Sequence, residues 1–104
     1  MYSTQLRLLG RLRQSFIVRQ VQGGSMLPSL RTGQLVVAKR TYRVKPGDVV
    51  IVRHAGLEKI KRIKERQEDR LYLLGDNPAA STDSRTFGWI PVECVIAKVV
   101  WPKV

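Results

Sequence analysis

The sequence is short of the residues that metal centres and disulfide frameworks need. In 104 residues it has one cysteine, Cys94, and one histidine, His54. A lone cysteine cannot form an intramolecular disulfide, and without further Cys or His at ligand spacing a zinc or iron–sulfur site has no basis. We therefore expect no metal and no other cofactor, and the cysteine usage permits a reducing compartment.

Long apolar runs are also missing. The longest, such as VVIV and CVIA, are far shorter than the roughly 20 residues of a membrane-spanning helix, and no signal-peptide apolar core follows the first methionine. The expectation is a cytoplasmic chain without a transmembrane segment, with peripheral contact at the inner face of the membrane left open.

Acidic residues are few: 8 Asp and Glu stand against 19 Lys and Arg, a net charge of +11. Such a field attracts nucleic acid, anionic lipid or an acidic protein, or it serves only solvation. Near the start, Leu9, Leu12 and Phe16 recur at helical spacing with arginines between them, which predicts a basic amphipathic helix from Gln5 to Phe16. This helix could lie on a membrane surface or pack on its own domain.

Short β-type runs fill the remainder, separated by turn residues in RTG, KPGD, HAG, ERQED and GDNP. Six segments are rich in Val, Ile, Leu and Tyr: FIVRQV, QLVVAKR, DVVIVR, LEKIKRIKE, RLYLL and VIAKVV. They predict a mainly β fold, a small and strongly bent sheet or partly open barrel. The chain length fits one domain over residues 1–104, with a basic segment 1–20 before a β core 21–104.

One candidate nucleophile is Ser25 in QGGSMLPSL, which needs a base to take its proton and donors for an oxyanion. His54, in VRHAGL, falls in a predicted exposed turn, which favours a solvated histidine over a catalytic one. A lysine can replace it if burial lowers its pKa toward neutrality. Lys61 in KIKRI shares a strand face with Ile63, although by composition alone it is typical of a charge that solubilises an edge strand.

A third stretch, GDNPAASTDSRTFGWIP, follows an apolar strand. Taken alone it predicts a polar loop whose side chains bond one another's backbone. Together, however, GGSMLPSL, KPGDVVIV, IKR and this stretch resemble, in order, the sequence boxes of type I signal peptidases, membrane-associated serine proteases with a Ser-Lys dyad. The resemblance covers about residues 21–91 and implies the catalytic β core of that family.

Carried over by position, the resemblance implies that Ser25 is the nucleophile and Lys61 the general base, and that the Ser81 hydroxyl orients the lysine. Four further residues are implied to brace the surrounding loop: Asp76, Asn77, Asp83 and Arg85. Gly23 and Gly24 are implied to let an extended substrate approach Ser25. Some relatives carry a hydroxyl oxyanion donor where this chain has Gly23, so the Ser25 backbone N–H is expected to serve instead.

Two departures from the bacterial housekeeping enzymes are expected: no anchoring transmembrane segment, and no large second β domain between Lys61 and the GDNP stretch. A minimal version of this kind looks most like the proteases that mature nickel-type superoxide dismutase, which remove a short N-terminal extension from the dismutase precursor. The protein substrate is expected to bind extended beside RQVQGG and LEKIK, adding a strand.

Three alternatives stay open at this stage. One is signal-peptidase-like processing of another substrate. Another is the protease domain of a self-cleaving regulator, although residues 1–20 are short for the DNA-binding segment and scissile loop that such regulators carry. The last is a basic β-barrel that binds nucleic acid, which the scarcity of aromatics near the basic run makes a poor match.

Overall fold

The computed structural model describes residues 15–104, which contain seven β-strands. The strands are β1 (Phe16–Gln20), β2 (Leu35–Lys39), β3 (Val49–His54), β4 (Leu57–Gln67), β5 (Arg70–Leu74), β6 (Ile90–Pro91) and β7 (Val95–Trp101). All six predicted runs form strands. The additional strand, β6, has only two residues, too few to show a period of two in the sequence.

The strands form one antiparallel sheet in the order β1-β2-β7-β3-β4-β5-β6. Among the described residues, β1 pairs only with β2 and β6 only with β5, so the sheet does not close. This arrangement confirms the prediction of a mainly β fold built on a small open sheet. One helical turn, α1 (Ser84–Phe87), and two 3-10 turns (Pro78–Ala80 and Val92–Cys94) complete the elements. No helix within residues 15–104 has the length and apolar character needed to cross a bilayer.

Strand β3 holds the two halves of the core together, since it is buried on both faces. Val49 and Ile51 belong to one apolar cluster, whereas Val50 and Val52 belong to the other. An uninterrupted apolar run such as VVIV is what a strand covered on both sides requires. Each such side chain contributes about 1.5–3 kcal/mol when it leaves water, so this strand fixes the positions of its neighbours β4 and β7.

The burial of Lys61 on strand β4 corrects the composition-based interpretation of this residue as a charge that solubilises an edge strand. β4 pairs with β3 over its first half and with β5 from Arg62 onward. Lys61 is only 5% exposed, and Ile63 on the same strand face is 1% exposed. A lysine in this position does not solubilise an edge; its ammonium is held inside the protein.

Two other predictions need adjustment. The predicted helix Gln5–Phe16 lies outside the described residues up to residue 14, and its last residue, Phe16, begins β1 instead. His54 is not a solvated turn residue: it is half-buried at the end of β3, with its ring 4.4 Å from that of Phe87.

Candidate active site

A groove of about 370 Å³ runs between β1 and the first half of β4. The two strands do not pair with each other: the outer edge of β1 has no neighbour in the described sheet, and β5 pairs with β4 only from Arg62 onward. Two strand edges with free backbone groups therefore face the groove. Ser25 and Lys61 both line it, as do residues 19–22, Met26 and residues 58–60.

The Ser25 turn is anchored by the apolar residue that follows it. Met26 is 1% exposed and packs into the core cluster that contains Ile17 and Val21, and it accepts a backbone hydrogen bond from Leu30 at 2.9 Å. Ser25 itself is half-buried. Neither its hydroxyl nor its backbone N–H is bonded to any of the described residues, so both groups are available at the groove.

The pKa of Lys61 lies below the usual value for lysine. Burial of the side chain is the main cause, because it disfavours the charged ammonium, and the nearby cations Lys59 and Arg85 lower the pKa further. The carboxylate of Asp83 opposes them and raises it. Within residues 15–104 the Lys61 amine has no hydrogen-bond partner, so it is available to a group bound in the groove that Lys61 lines.

Asn77 ties the polar loop to the Ser25 turn. Its backbone N–H donates to the Ser25 carbonyl at 2.8 Å, and its side-chain Nδ2 donates to the Gly24 carbonyl at 3.0 Å. Gly23, just before, has φ +77°, a left-handed conformation that favours glycine. The loop after β5 thus fixes the backbone on which the Ser25 hydroxyl is mounted, although 50 residues of sequence separate the two.

Gly75 lies where the Ser25 backbone and Ser81 approach the end of β5. A Cβ built on Gly75 would stand 2.7 Å from the Ser25 carbonyl oxygen and 2.6 Å from Ser81 Cβ. No real Cβ tolerates such contacts, so only glycine allows the two serines to come this close to the strand end.

Asp83 organises the loop from a buried position, at 1% exposure. Its carboxylate accepts hydrogen bonds from the Gly75 N–H at 2.9 Å, from Ser81 Oγ at 2.7 Å and from the Arg85 guanidinium at 2.9 and 2.8 Å. Burial alone would raise the pKa of Asp83, but these donors outweigh it and lower the pKa strongly. The Ser81 hydroxyl is therefore directed at Asp83, and no hydrogen bond joins it to Lys61 in the described structure.

Asp76 joins the loop to the strand of Lys61. It accepts from Ser29 Oγ at 2.6 Å and from the Arg62 guanidinium at 2.9 and 2.8 Å. Ser29 and Arg62 were not predicted as site residues. Arg62 could have been found from its place directly after Lys61, whereas Ser29 carries no signal beyond its proximity to Ser25 in sequence.

The structure thus brings the predicted residues together in one region. Ser25 and Lys61 line the groove, and the loop containing Asp76, Asn77 and Asp83 supports the Ser25 turn from behind. Among the described residues no group of three His, Cys, Asp or Glu side chains could hold a metal ion. The expectation that the site needs no cofactor remains a prediction.

Comparison with known proteins agrees with this site. The family model for Peptidase S24-like proteins matches residues 3–99, nearly the whole sequence. The fold and the match define a serine-type peptidase of the signal-peptidase kind. The chain belongs to the Peptidase S24-like family. It is also similar to the mitochondrial ATP-independent inner membrane protease subunit 1a of Arabidopsis thaliana, with 35% identity over an alignment of 115 residues. The alignment covers 79% of this chain and 68% of the relative.

Proposed function

We propose that this peptidase is a Ser-Lys endopeptidase in which Ser25 is the nucleophile and Lys61 the general base. The observation that carries the proposal is the shared groove: a serine with a free hydroxyl and a buried lysine with a lowered pKa line the same cleft. A lysine that is partly deprotonated near neutral pH can accept the proton of a serine hydroxyl. The only histidine, His54, packs on Phe87 instead.

In the acylation step, Ser25 Oγ attacks the scissile carbonyl while its proton moves to Lys61 Nζ. The oxygen of the tetrahedral intermediate becomes negative, and the unbonded Ser25 N–H is the donor available to stabilise it. When the intermediate collapses, the C–N bond breaks and the leaving amine takes the proton from Lys61. The products are a free amino terminus and an ester on Ser25.

In the deacylation step, water replaces the amine. Lys61 takes a proton from the water as it attacks the ester, and the second tetrahedral intermediate then releases the Ser25 oxygen. That oxygen recovers the proton from Lys61, so the site returns to its starting state. Ser81 supports this cycle by position: its proton is held by Asp83, so its oxygen can accept a hydrogen bond from the amine and steady it near Ser25.

The unpaired strand edges support an extended substrate. A peptide lying along the groove can add backbone hydrogen bonds to β1 or to β4, which supplies affinity independent of sequence. Gly23 and Gly24 directly precede Ser25 and carry no side chain beyond hydrogen, so the main chain of a substrate can come close to Ser25. These features fit cleavage within a flexible leader rather than within a folded domain.

For the biological substrate, we propose the N-terminal extension of a nickel-type superoxide dismutase precursor. Its support is the sequence pattern of the polar loop and the small size of the catalytic sheet. The similarity to an inner membrane protease subunit supports a second candidate substrate class, which is another precursor protein with an N-terminal leader.

Incubation of the purified protein with a nickel superoxide dismutase precursor tests both the Ser-Lys dyad and the proposed substrate. The expected result is one new amino terminus, detected by mass, with the wild-type protein and none with Ser25→Ala or Lys61→Ala. Lys61→Arg is the matched charge-conserving variant, and it should also be inactive because guanidinium does not lose its proton. Full activity in Lys61→Ala would refute the dyad.

A library of proteome-derived peptides separates chemistry from substrate. If the library is cut in a Ser25-dependent way but the dismutase precursor is not, the dyad stands and the dismutase assignment falls. If neither is cut, the proposed proteolysis itself is wrong.

A further inference from the structure

An ion pair crosses the groove and joins its two walls. Arg19 on β1 donates from Nε to Glu58 Oε1 at 2.9 Å and from Nη2 to Glu58 Oε2 at 3.3 Å, and Glu58 belongs to β4. These residues are 39 positions apart in sequence, and their strands do not pair. A peptide that adds a strand here must meet this pair.

The pair lies at a defined distance from the candidate dyad. Glu58 precedes Lys61 by three residues on β4, which is about 10 Å at the rise of an extended strand. A substrate with the same rise places a side chain near the pair about three residues from its scissile bond. The pair is partly open to solvent, with side-chain exposures of 40% for Arg19 and 29% for Glu58, so an incoming side chain can reach it.

The surrounding charges decide which substrate group the pair accepts. Glu58 has a second cation, since Arg53 Nη2 lies 3.5 Å from its Oε2. If a substrate carboxylate takes Arg19, Glu58 therefore keeps Arg53 and every charge remains paired. If a substrate ammonium takes Glu58, Arg19 retains only the Val18 carbonyl, at 3.1 Å. The net charge of +11 favours an acidic peptide in the same direction.

We propose that Arg19 is a specificity-determining residue, which exchanges Glu58 for a substrate Asp or Glu located about three residues from the scissile bond. This inference rests on the proposed proteolysis and adds a substrate class to it: leaders that carry a carboxylate near the cleavage site. Glu58 acts as the resident partner, keeping Arg19 oriented across the empty groove until a substrate carboxylate replaces it.

The test uses the peptide library first and matched peptides second. In the library, wild-type protein should enrich Asp and Glu at one position, two to four residues from the cleaved bond. Synthetic peptides with Glu, Gln or Lys at that position should then show kcat/KM about two- to fivefold higher for Glu than for Gln, the range of an exposed ion pair, and lowest for Lys.

Variants assign the preference to Arg19. Arg19→Gln should bring the Glu-to-Gln ratio to about one, while Glu58→Gln, which frees Arg19, should keep or raise it. Arg43→Gln is the matched control, because the exposed Arg43 side chain makes no ion pair with the described residues, and this variant should retain the wild-type ratio. The ratio should fall with added salt.

Two results overturn the inference alone: equal cleavage of the Glu and Gln peptides by the wild type, or a Glu preference that persists in Arg19→Gln. A lack of any Ser25-dependent cleavage is a different result, which overturns the proposed function and this inference with it.

Discussion

The Arg62 guanidinium contacts both carboxylate oxygens of Asp76, at 2.9 and 2.8 Å, and so connects the strand of Lys61 to the loop behind Ser25. Arg62 directly follows Lys61, and Asp76 directly follows Gly75. The same guanidinium also donates to the carbonyls of Gly47 and Val104. One side chain thereby fixes the relative positions of several segments.

We expect Arg62→Gln and Asp76→Asn each to lower the free energy of unfolding by about 2 kcal/mol, since each leaves a partly buried charge without its partner. The double variant should lose less than the two single losses together, with a coupling of about 1 kcal/mol or more. Denaturant titration of the four proteins measures this cycle. Additive losses would show that the two residues act independently.

The lowered pKa of Lys61 sets the pH dependence of activity. If the neutral amine is the base, kcat/KM should rise tenfold per pH unit below that pKa and reach a plateau before pH 10.5, the ordinary value for lysine. A pH–rate profile on a single peptide measures it. A profile that rises only near pH 10.5 would contradict a desolvated base.

Burial of Lys61 should also cost stability at neutral pH. Its folded-state pKa is below the unfolded value, so the unfolded chain binds more protons in the window between the two, and stability rises with pH across that window. Lys61→Met should therefore stabilise the fold by about 1 kcal/mol near pH 7, with the gain shrinking as pH approaches 10.5. Thermal unfolding of both proteins at several pH values checks this. A destabilised Lys61→Met at neutral pH would argue against the buried charge.

Gly75→Ala should damage both the fold and the site. The added Cβ would clash with the Ser25 carbonyl, which is backbone and cannot move aside, so we expect a loss of about 1–3 kcal/mol. Catalysis should fall by more than stability alone explains, because the clash displaces Ser25 relative to Lys61. Gly24→Ala is the stability control, since its nearest contact is the flexible Leu27 side chain at 3.3 Å. Equal stability of the two variants would contradict the proposed packing.

The contacts of Asp83 predict that the protein loses stability in acid. Its pKa in the folded protein is lowered, so its stabilising effect is present above the ordinary value of 3.8 and is lost as pH falls through the folded-state pKa. Asp83→Asn should destabilise the protein by about 2–3 kcal/mol at pH 7, because three donor groups lose a buried carboxylate. The difference between the two proteins should narrow in acid, which unfolding curves from pH 7 to 2 would detect. A constant difference would count against this role.

The local sequence pattern predicted most of the fold, because strand and turn formation depends largely on residues that are adjacent in the sequence. The runs VVIV and RLYLL and the turns KPGD and HAG each carry their own signal. The burial of Lys61 on β4 could not be predicted this way, since it depends on packing against segments distant in the sequence. For the same reason Lys61 was typical of a surface charge until the resemblance to a family gave it a role.

The contacts within the site were even harder to predict from the sequence. Ser29 and Asp76 are 47 residues apart and Arg19 and Glu58 are 39 apart, so no spacing rule links them. His54 illustrates a different error. Its turn was predicted correctly, but its side chain is not solvated, because the ring packs on Phe87 from the distant polar loop. Side-chain partners of this kind follow from the fold and not from the local sequence.

The outer edge of β1, which has no strand partner among residues 15–104, has a cost for the protein in solution. A strand edge that can pair with a substrate can also pair with the same edge of another copy of the protein. A proline or a bulge in the strand would prevent such self-pairing, but it would also prevent pairing with a substrate. Mutual repulsion between strongly cationic molecules protects the edge without blocking it. Concentrated salt removes that repulsion, so clustering of copies and turbidity should set in as ionic strength rises.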